Sequence, residues 1–233
     1  MVGAGPAQVA VVVGAGGGLG AALLAGLERD GGFSRVAGLG RGTAPPLDLL
    51  SEPSIAGAAA WVTGLGELRL LLDATGFLHG AGFTPERSLR ALDPAHMAHA
   101  YAVNAIGPAL LMKHFCPLLP RRGRAVFATL SARVGSIGDN RLGGWHSYRA
   151  SKAALNQLLR TAAVEMARTH PDAVLVALHP GTVDTALSQP FAKSGLAVRP
   201  PGDAARDLLG VIAGLGGKDT GSFLDQAGAA IPW

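Results

Sequence analysis

Tyr148-Arg149-Ala150-Ser151-Lys152 sets a phenol and an ammonium four residues apart. Residues at that spacing share one face of a helix. The stretch that follows, Ala153 to Leu159, is rich in helix formers, so the pair predicts one turn of a real helix. A free tyrosine titrates near pH ~10. A neighbouring cation stabilises the phenolate and lowers that value. The pair therefore predicts an acid/base usable at neutral pH. Taken alone the spacing is common surface chemistry. A glycine-rich loop far upstream gives it context.

That loop is Gly14-Ala15-Gly16-Gly17-Gly18-Leu19-Gly20. It follows the β-branched run at residues 9–13 and opens a helical stretch. Glycines there make a tight turn and admit close backbone approach, while the helix N-terminus offers N–H groups to a pyrophosphate. Gly14, Gly18 and Gly20 are one residue longer at the first interval than the usual dinucleotide fingerprint. A site for NAD(H) usually ends its second strand on a carboxylate that bonds the ribose. Here Val36-Ala37-Gly38-Leu39-Gly40-Arg41 ends on a guanidinium, which matches a phosphate bidentately. The loop thus predicts a dinucleotide cofactor, NADP(H) in preference to NAD(H).

The elements needed to position these groups are legible as an alternation. Strands are predicted at 9–13, 35–39, 47–49, 69–73, 124–130, 173–178 and 221–225. Helices are predicted at 21–29, 52–64, 94–115, 146–170 and 203–215. Alternating strands and helices argue for an α/β fold: a Rossmann-type, doubly wound parallel sheet with helices on both faces. No linker or repeat divides the chain, so one domain over residues 1–233 is expected.

Composition narrows the classes. Hydrophobic residues make up 48% and mean hydropathy is positive, against disorder. The net charge is +4, but the one dense basic cluster, Arg121-Arg122-Gly123-Arg124, reads as a solvated loop, against a nucleic-acid binder. Cys116 is the single cysteine and reads as a packed thiol, so no intrachain disulfide forms. Residues 9–13 are strand-sized rather than a signal peptide, and no run of apolar residues is long enough to span a membrane. A cytoplasmic enzyme is expected. His96 and His99 lack a third ligand nearby, and no metal site is expected.

The glycine loop, the strand order and the Tyr148/Lys152 pair together resemble the short-chain dehydrogenase/reductase family. The carrying segments are Ser131 to Asn140, Gly143-Gly144-Trp145, His179-Pro180-Gly181-Thr182-Val183-Asp184-Thr185 and Ile231-Pro232-Trp233. The likeness is closest to the C-factor or sniffer-like carbonyl-reductase branch and covers essentially the whole chain. It implies an NADP(H)-dependent oxidoreductase of carbonyl and alcohol groups, or alternatively a catalytically weak dinucleotide-binding signalling or scaffold protein. The resemblance implies catalytic roles for Asn104, Ser131, Tyr148 and Lys152. Tyr148 exchanges the proton, Lys152 tunes it and binds the nicotinamide ribose, Ser131 holds the substrate oxygen, and Asn104 supports a water relay. Cofactor contacts are implied at Gly14, Gly17, Gly18, Leu19, Gly20, Arg41, Asp48, Ala74, Gly76, Tyr148, Lys152, Pro180, Gly181 and Thr182. A homodimer or homotetramer through the Asn104 and Tyr148 helices is also implied.

The chain departs from the family pattern in four places. Asp73-Ala74-Thr75-Gly76 replaces Asn-Asn-Ala-Gly. The stretch from Ser131 to Tyr148 is longer than usual, which leaves Ser136 as a rival to Ser131. His146 stands where this branch often has tyrosine. Gly17 lacks the basic side chain found in many NADP-using relatives. Residues 184–201 carry Leu187, Pro190, Phe191, Leu196 and Val198 and are expected to cover an apolar aldehyde or ketone, with 133–145 as the opposite wall.

Overall fold

The computed structural model describes residues 6–80, 82–188 and 198–233. Pro190, Phe191 and Leu196 of the expected substrate cover lie outside the described residues. Six parallel strands form one sheet: β1 (Gln8–Val13), β2 (Arg35–Leu39), β3 (Glu67–Asp73), β4 (Ala125–Leu130), β5 (Ala173–His179) and β6 (Ser222–Asp225), in the order β2-β1-β3-β4-β5-β6. Residues 47–49, expected as a strand, are not one. Asp48 there turns the chain instead: its carboxylate accepts the Leu50 N–H at 3.0 Å and its N–H donates to Ser54 Oγ at 3.0 Å. Leu47-Asp48-Leu49 is too short for its alternation to separate a strand from a turn.

The helices are α1 (Gly18–Asp30), α2 (Glu52–Thr63), α3 (Pro94–Tyr101), α4 (Gly107–Phe115), α5 (His146–Met166) and α6 (Pro201–Gly214). A π turn, Ala102–Ile106, joins α3 to α4, so the predicted long helix at 94–115 is continuous but wound wide at Asn104. Pro108 follows directly on the π turn, where the regular bonding ladder is already interrupted, so its missing N–H is tolerated there.

Period-two alternation explains why the strands read as unbroken apolar runs. Val9, Val11 and Val13 face one core with Phe127, Leu175, Leu111 and Phe115. Ala10 and Val12 face the other with Leu23, Leu27, Val174, Val176 and Leu208. A sheet covered on both faces needs apolar residues at every position. Each fully buried aliphatic side chain contributes roughly 1.5–3 kcal/mol. Leu19, Leu23 and Leu27, four residues apart, form the buried stripe of α1. Gly26 lets α6 approach that helix, since a Cβ there would lie 2.7 Å from Leu209 Cδ1.

All six strands run the same way, so Val13, Asp73, Leu130 and His179 end on one edge. From β1 the chain passes to β2 on one side and later to β3 on the other. Crevices at such a switch point are where open α/β sheets bind ligands.

Candidate active site

The glycine loop leaves β1 at that crevice. Gly14 has φ +82 and its N–H donates to Leu39 O at 2.8 Å. A Cβ on Gly20 would lie 2.1 Å from Gly14 O, so Gly20 is required by the turn itself. At Gly16 a Cβ would meet nothing within 4 Å. Gly17 caps α1 without a side-chain bond, and the first turn carries no acidic residue. The first N–H groups of α1 are thus offered to an anion with no internal competitor. Arg41 follows β2, is exposed, and has no ion-pair partner among the described residues. Uncapped donors, an open glycine floor and a free guanidinium together fit a phosphorylated dinucleotide. Leu19 is turned into the core of α1 and can offer only its backbone.

The next strand end supplies Ala74, whose N–H donates to Val13 O at 2.9 Å, and Gly76. A Cβ on Gly76 would lie 3.7 Å from Lys152 Nζ and 3.8 Å from Asn104 Oδ1, so three predicted residues meet there. The Asn104 amide is fully engaged. Its Oδ1 accepts the Phe77 N–H at 2.7 Å; its Nδ2 donates to Phe77 O at 2.8 Å and to Ser151 Oγ at 3.0 Å. Asn104 thereby ties the loop after β3 to α5, one residue before Lys152.

Lys152 donates to Leu130 O at 2.8 Å. Ser131 comes next in the chain, and Ala132 packs on Tyr148 with Leu78, Val134, Trp145 and Leu187. The side chain that stands against Tyr148 is thus that of Ala132, while the Ser131 hydroxyl donates to Asn156 Oδ1 at 2.7 Å. Ser136, the rival, accepts the Asp139 N–H at 3.0 Å within its own turn. Neither serine is hydrogen-bonded to Tyr148 among the described residues. The Tyr148 hydroxyl has no hydrogen-bond partner among the described residues, which leaves it open to a ligand.

Electrostatics correct one expectation. Burial pushes the Tyr148 phenol up to about 12, and no neighbouring cation offsets it. A raised value holds the phenol protonated at neutral pH, where the helical spacing predicts a lowered one. Burial also brings Lys152 down to about 8, against the opposing charge of Asp73. Asp73, 1% exposed, accepts from Thr75 Oγ1 at 2.5 Å and Thr129 Oγ1 at 2.7 Å. Its carboxyl is raised by burial, against those hydroxyls and the Lys152 charge. The departure from Asn-Asn-Ala-Gly thus places an anion where it supports the ammonium.

The Pro180-Gly181-Thr182 stretch follows β5. Thr182 O accepts the Arg199 N–H at 2.9 Å and the Asp184 N–H reaches Arg199 O at 2.8 Å, a parallel bridge of Val183 to Arg199. Thr185 faces the glycine loop, 3.1 Å from where a Gly18 Cβ would stand. Leu187 packs against the cluster of Leu78, Ala132 and Tyr148.

Among the described residues no cluster of His, Cys, Asp and Glu could hold a metal, and no helix is long and apolar enough to cross a membrane. His96 and His99 instead pack on Phe77 and Phe83. Cys116 is buried and its thiol is pushed up to about 12. Arg124, expected in a solvated loop, donates to Leu215 O at 2.8 Å and ties β4 to the end of α6.

The sequence gives no local sign of Glu86. Its side chain is 1% exposed, and its carboxylate accepts the Ser147 hydroxyl and, at 3.2 Å, the Ser147 N–H. His96 Nδ1 lies 3.3 Å away, and the Glu86 carbonyl accepts the Trp145 N–H at 2.5 Å. Trp145 opens α5 at φ 52, a left-handed conformation unfavourable for a residue with a Cβ. Glu86 holds that start through Trp145 and through Ser147, the residue before Tyr148. Its partners His96, Trp145 and Ser147 are ten, fifty-nine and sixty-one positions away, beyond any local pattern.

The family model for short chain dehydrogenases matches residues 8–194. The chain belongs to that family. Among relatives of this short-chain dehydrogenase, the C-signal of Myxococcus xanthus is 36% identical over 143 residues, 61% of this chain and 81% of that protein. The 1-hydroxy-2-glutathionyl-2-methyl-3-butene dehydrogenase of Rhodococcus sp. (strain AD45) is 31% identical over 189 residues, 81% of this chain and 79% of that one. An NADPH-bound carbonyl reductase from chicken fatty liver superposes with a TM-score of 0.83 at 26% identity, over 97% of this short-chain dehydrogenase and 94% of that chain. The expected family, branch and parallel α/β fold are all met.

Proposed function

We propose that the chain is an NADP(H)-dependent carbonyl reductase acting on a small apolar aldehyde or ketone. The observation that carries this reading is the Tyr148 hydroxyl, unpaired, held protonated by burial and packed among Leu78, Ala132 and Leu187. A phenol in that state is an acid waiting for an oxygen to protonate, which favours reduction over oxidation. The family resemblance gives Lys152, one turn further along α5, the part of supporting the phenolate left behind. Asn104 keeps the Phe77 loop and α5 in register. Gly14, Gly17, Gly18 and Gly20, with Arg41, Asp48, Ala74, Gly76 and the Pro180–Thr182 stretch, would hold the dinucleotide, which when bound supplies the hydride. The NADPH-bound carbonyl reductase lends support to that cofactor.

Titration of the purified protein with NADPH and with NADH, followed by nucleotide fluorescence, tests the reading. NADPH binds the more tightly, and Arg41→Ala removes roughly 1.5–3 kcal/mol of that preference, the worth of a charge-assisted contact. Equal affinities for the two nucleotides, or a preference unmoved by Arg41→Ala, overturn the assignment of Arg41. The likeness to the C-signal favours a second reading, a binding protein without turnover. Tight NADPH binding with no reduction of any carbonyl in a broad apolar screen would select it.

The ionisation of Lys152 gives a pH dependence. With its value at about 8, the ammonium is present below that pH and lost above it. Carbonyl reduction therefore declines as pH rises past about 8. Asp73→Asn removes the anion that supports the ammonium, so the declining limb moves to lower pH. A limb that stays in place, or moves to higher pH, contradicts the coupling; initial rates across the range decide it.

A further inference from the structure

Arg149 is the charged member of Tyr148-Arg149-Ala150-Ser151-Lys152 that the mechanism leaves unused. It is half-buried, and its guanidinium forks between two backbone carbonyls. Nε donates to Gly144 O at 3.0 Å and Nη1 to Val134 O at 3.3 Å. Those carbonyls stand at the two ends of one loop, residues 134–144. A guanidinium presents its N–H groups in a fixed planar fork, so two acceptors held by it are also held relative to each other. Both ends of the loop bear on Tyr148. Val134 and Trp145 pack against the cluster of Leu78, Ala132 and Tyr148, and the Trp145 ring meets the Tyr148 ring edge to face with centroids 6.3 Å apart. Gly143, Gly144 and Trp145 have φ of 63, 67 and 52, three left-handed residues in succession. A side chain with a Cβ at the end of such a run is unfavourable and needs holding. The Glu86 carbonyl takes the Trp145 N–H, and Arg149 takes the Gly144 carbonyl. At the other end, a Cβ on Gly135 would lie 2.8 Å from Lys152 Cβ, so the loop leaves directly against α5. Its middle carries Ile137 and Leu142, 78% and 92% exposed. The ends of the loop, not its middle, stand at the tyrosine.

We propose that Arg149 is a positioning residue that sets substrate selectivity: by clamping Val134 O and Gly144 O together it fixes Val134 and Trp145 as two jaws at Tyr148. The inference rests on the reading of Tyr148 as the proton donor. A carbonyl oxygen that takes that proton comes within hydrogen-bond reach of the phenol. Its substituents then pass the side chains packed round that ring. Fixed jaws grip one width of substituent well, whereas slack jaws admit more widths and grip each less.

Hydrogen exchange tests the clamp without turnover. The Gly135 and Trp145 amides donate to Ala132 O and Glu86 O. In Arg149→Ala both are expected to exchange about tenfold faster, the local stability that one hydrogen bond contributes, while the amides of β5 keep their protection. Arg149→Lys keeps the charge but replaces the fork with a point donor that serves one carbonyl at a time, so exchange stays faster than in wild type. If β5 also loses protection in Arg149→Ala, the milder lysine variant decides. Wild-type exchange at both amides, or full recovery by lysine, overturns the clamp.

Steady-state kinetics with hexanal and with pivalaldehyde, NADPH as reductant, test what the clamp is for. In Arg149→Lys the KM for hexanal is expected to rise about tenfold, with kcat and NADPH affinity within about threefold of wild type. Pivalaldehyde, branched beside its carbonyl, loses less in a slackened site, so its kcat/KM relative to hexanal rises. The pH profile stays in place, because the charge is kept. Unmoved KM and preference, with exchange quickened, overturn the role in selectivity. A fall in kcat that is equal for both aldehydes makes Arg149 a support of the fold around Tyr148 and overturns that role as well. Wild type inert toward both aldehydes, or Tyr148→Phe as active as wild type, fails the reading of Tyr148 and takes the selectivity role with it; the exchange result then speaks for the clamp alone.

Discussion

Tyr148→Phe is expected to lower carbonyl turnover by about 10²–10⁴-fold, the usual contribution of a positioned general acid. The expectation is sharp because the substitution removes so little else. The phenol is 8% exposed and its ring packs on Leu78 and Ala132, contacts that phenylalanine keeps. The hydroxyl has no partner among the described residues, so its loss strands no buried donor or acceptor. The thermal midpoint and NADPH affinity should therefore stay close to those of the parent. That separation is the test. A variant within about tenfold of wild-type turnover means that another group delivers the proton. A variant that also loses NADPH binding means that the phenol is part of the cofactor pocket first.

Glu86→Ala should bring the largest loss of stability from any single polar residue near the site. It leaves the Ser147 hydroxyl, the Ser147 N–H and the His96 ring without their shared acceptor in an environment closed to water. Stranded buried donors cost ~1–3 kcal/mol each, so about 3 kcal/mol is expected in all. For a chain of this size that is a fall of about 10 °C in the thermal midpoint. Glu86→Gln, which keeps an acceptor, recovers part of it. The effect carries a pH signature. Burial alone would raise the Glu86 carboxyl, but the Ser147 hydroxyl, the backbone amides and the His96 charge hold it below its ordinary value. A lowered value in the folded state means that the unfolded chain takes up the proton first as pH falls. The stabilisation is thus full above the ordinary carboxylate range and lost as pH drops through the folded value. Calorimetry at descending pH should show wild type and Glu86→Ala converging in acid. A constant gap between them would mean that Glu86 acts through packing rather than charge.

The fold was legible because a sheet buried on both faces leaves a strong mark: Val9 to Val13 and Ala173 to Leu178 had no polar position to confuse them. Residues 47–49 misled because Leu47-Asp48-Leu49 alternates as a strand would, while the Asp48 carboxylate serves equally well to brace a turn. At the site, Tyr148, Lys152, Asn104 and Gly76 could be named from spacing and likeness, and the structure brings them together. The ionisation of Tyr148 could not. Helical spacing predicts a neighbouring cation, whereas the phenol value is set by how much of the ring is taken from water, and that depends on Leu78 and Leu187 from distant loops. Glu86 was invisible for the same reason: it matters through partners that only the folded chain supplies. The weight of Asp73 lay between these cases. Its identity was noticed as a departure, and its charge gained meaning only once Lys152 stood beside it.

The bridge between Val183 and Arg199, braced by the ion pair of Arg199 with Asp207 on α6, sets the two ends of residues 184–198 beside each other on the frame. A loop whose ends are already fastened can change length at little cost, since closure entropy grows only slowly with the number of residues. Val183 and Arg199 are therefore fixed posts: whatever length of chain runs between them, β5 on one side and the start of α6 on the other keep their places.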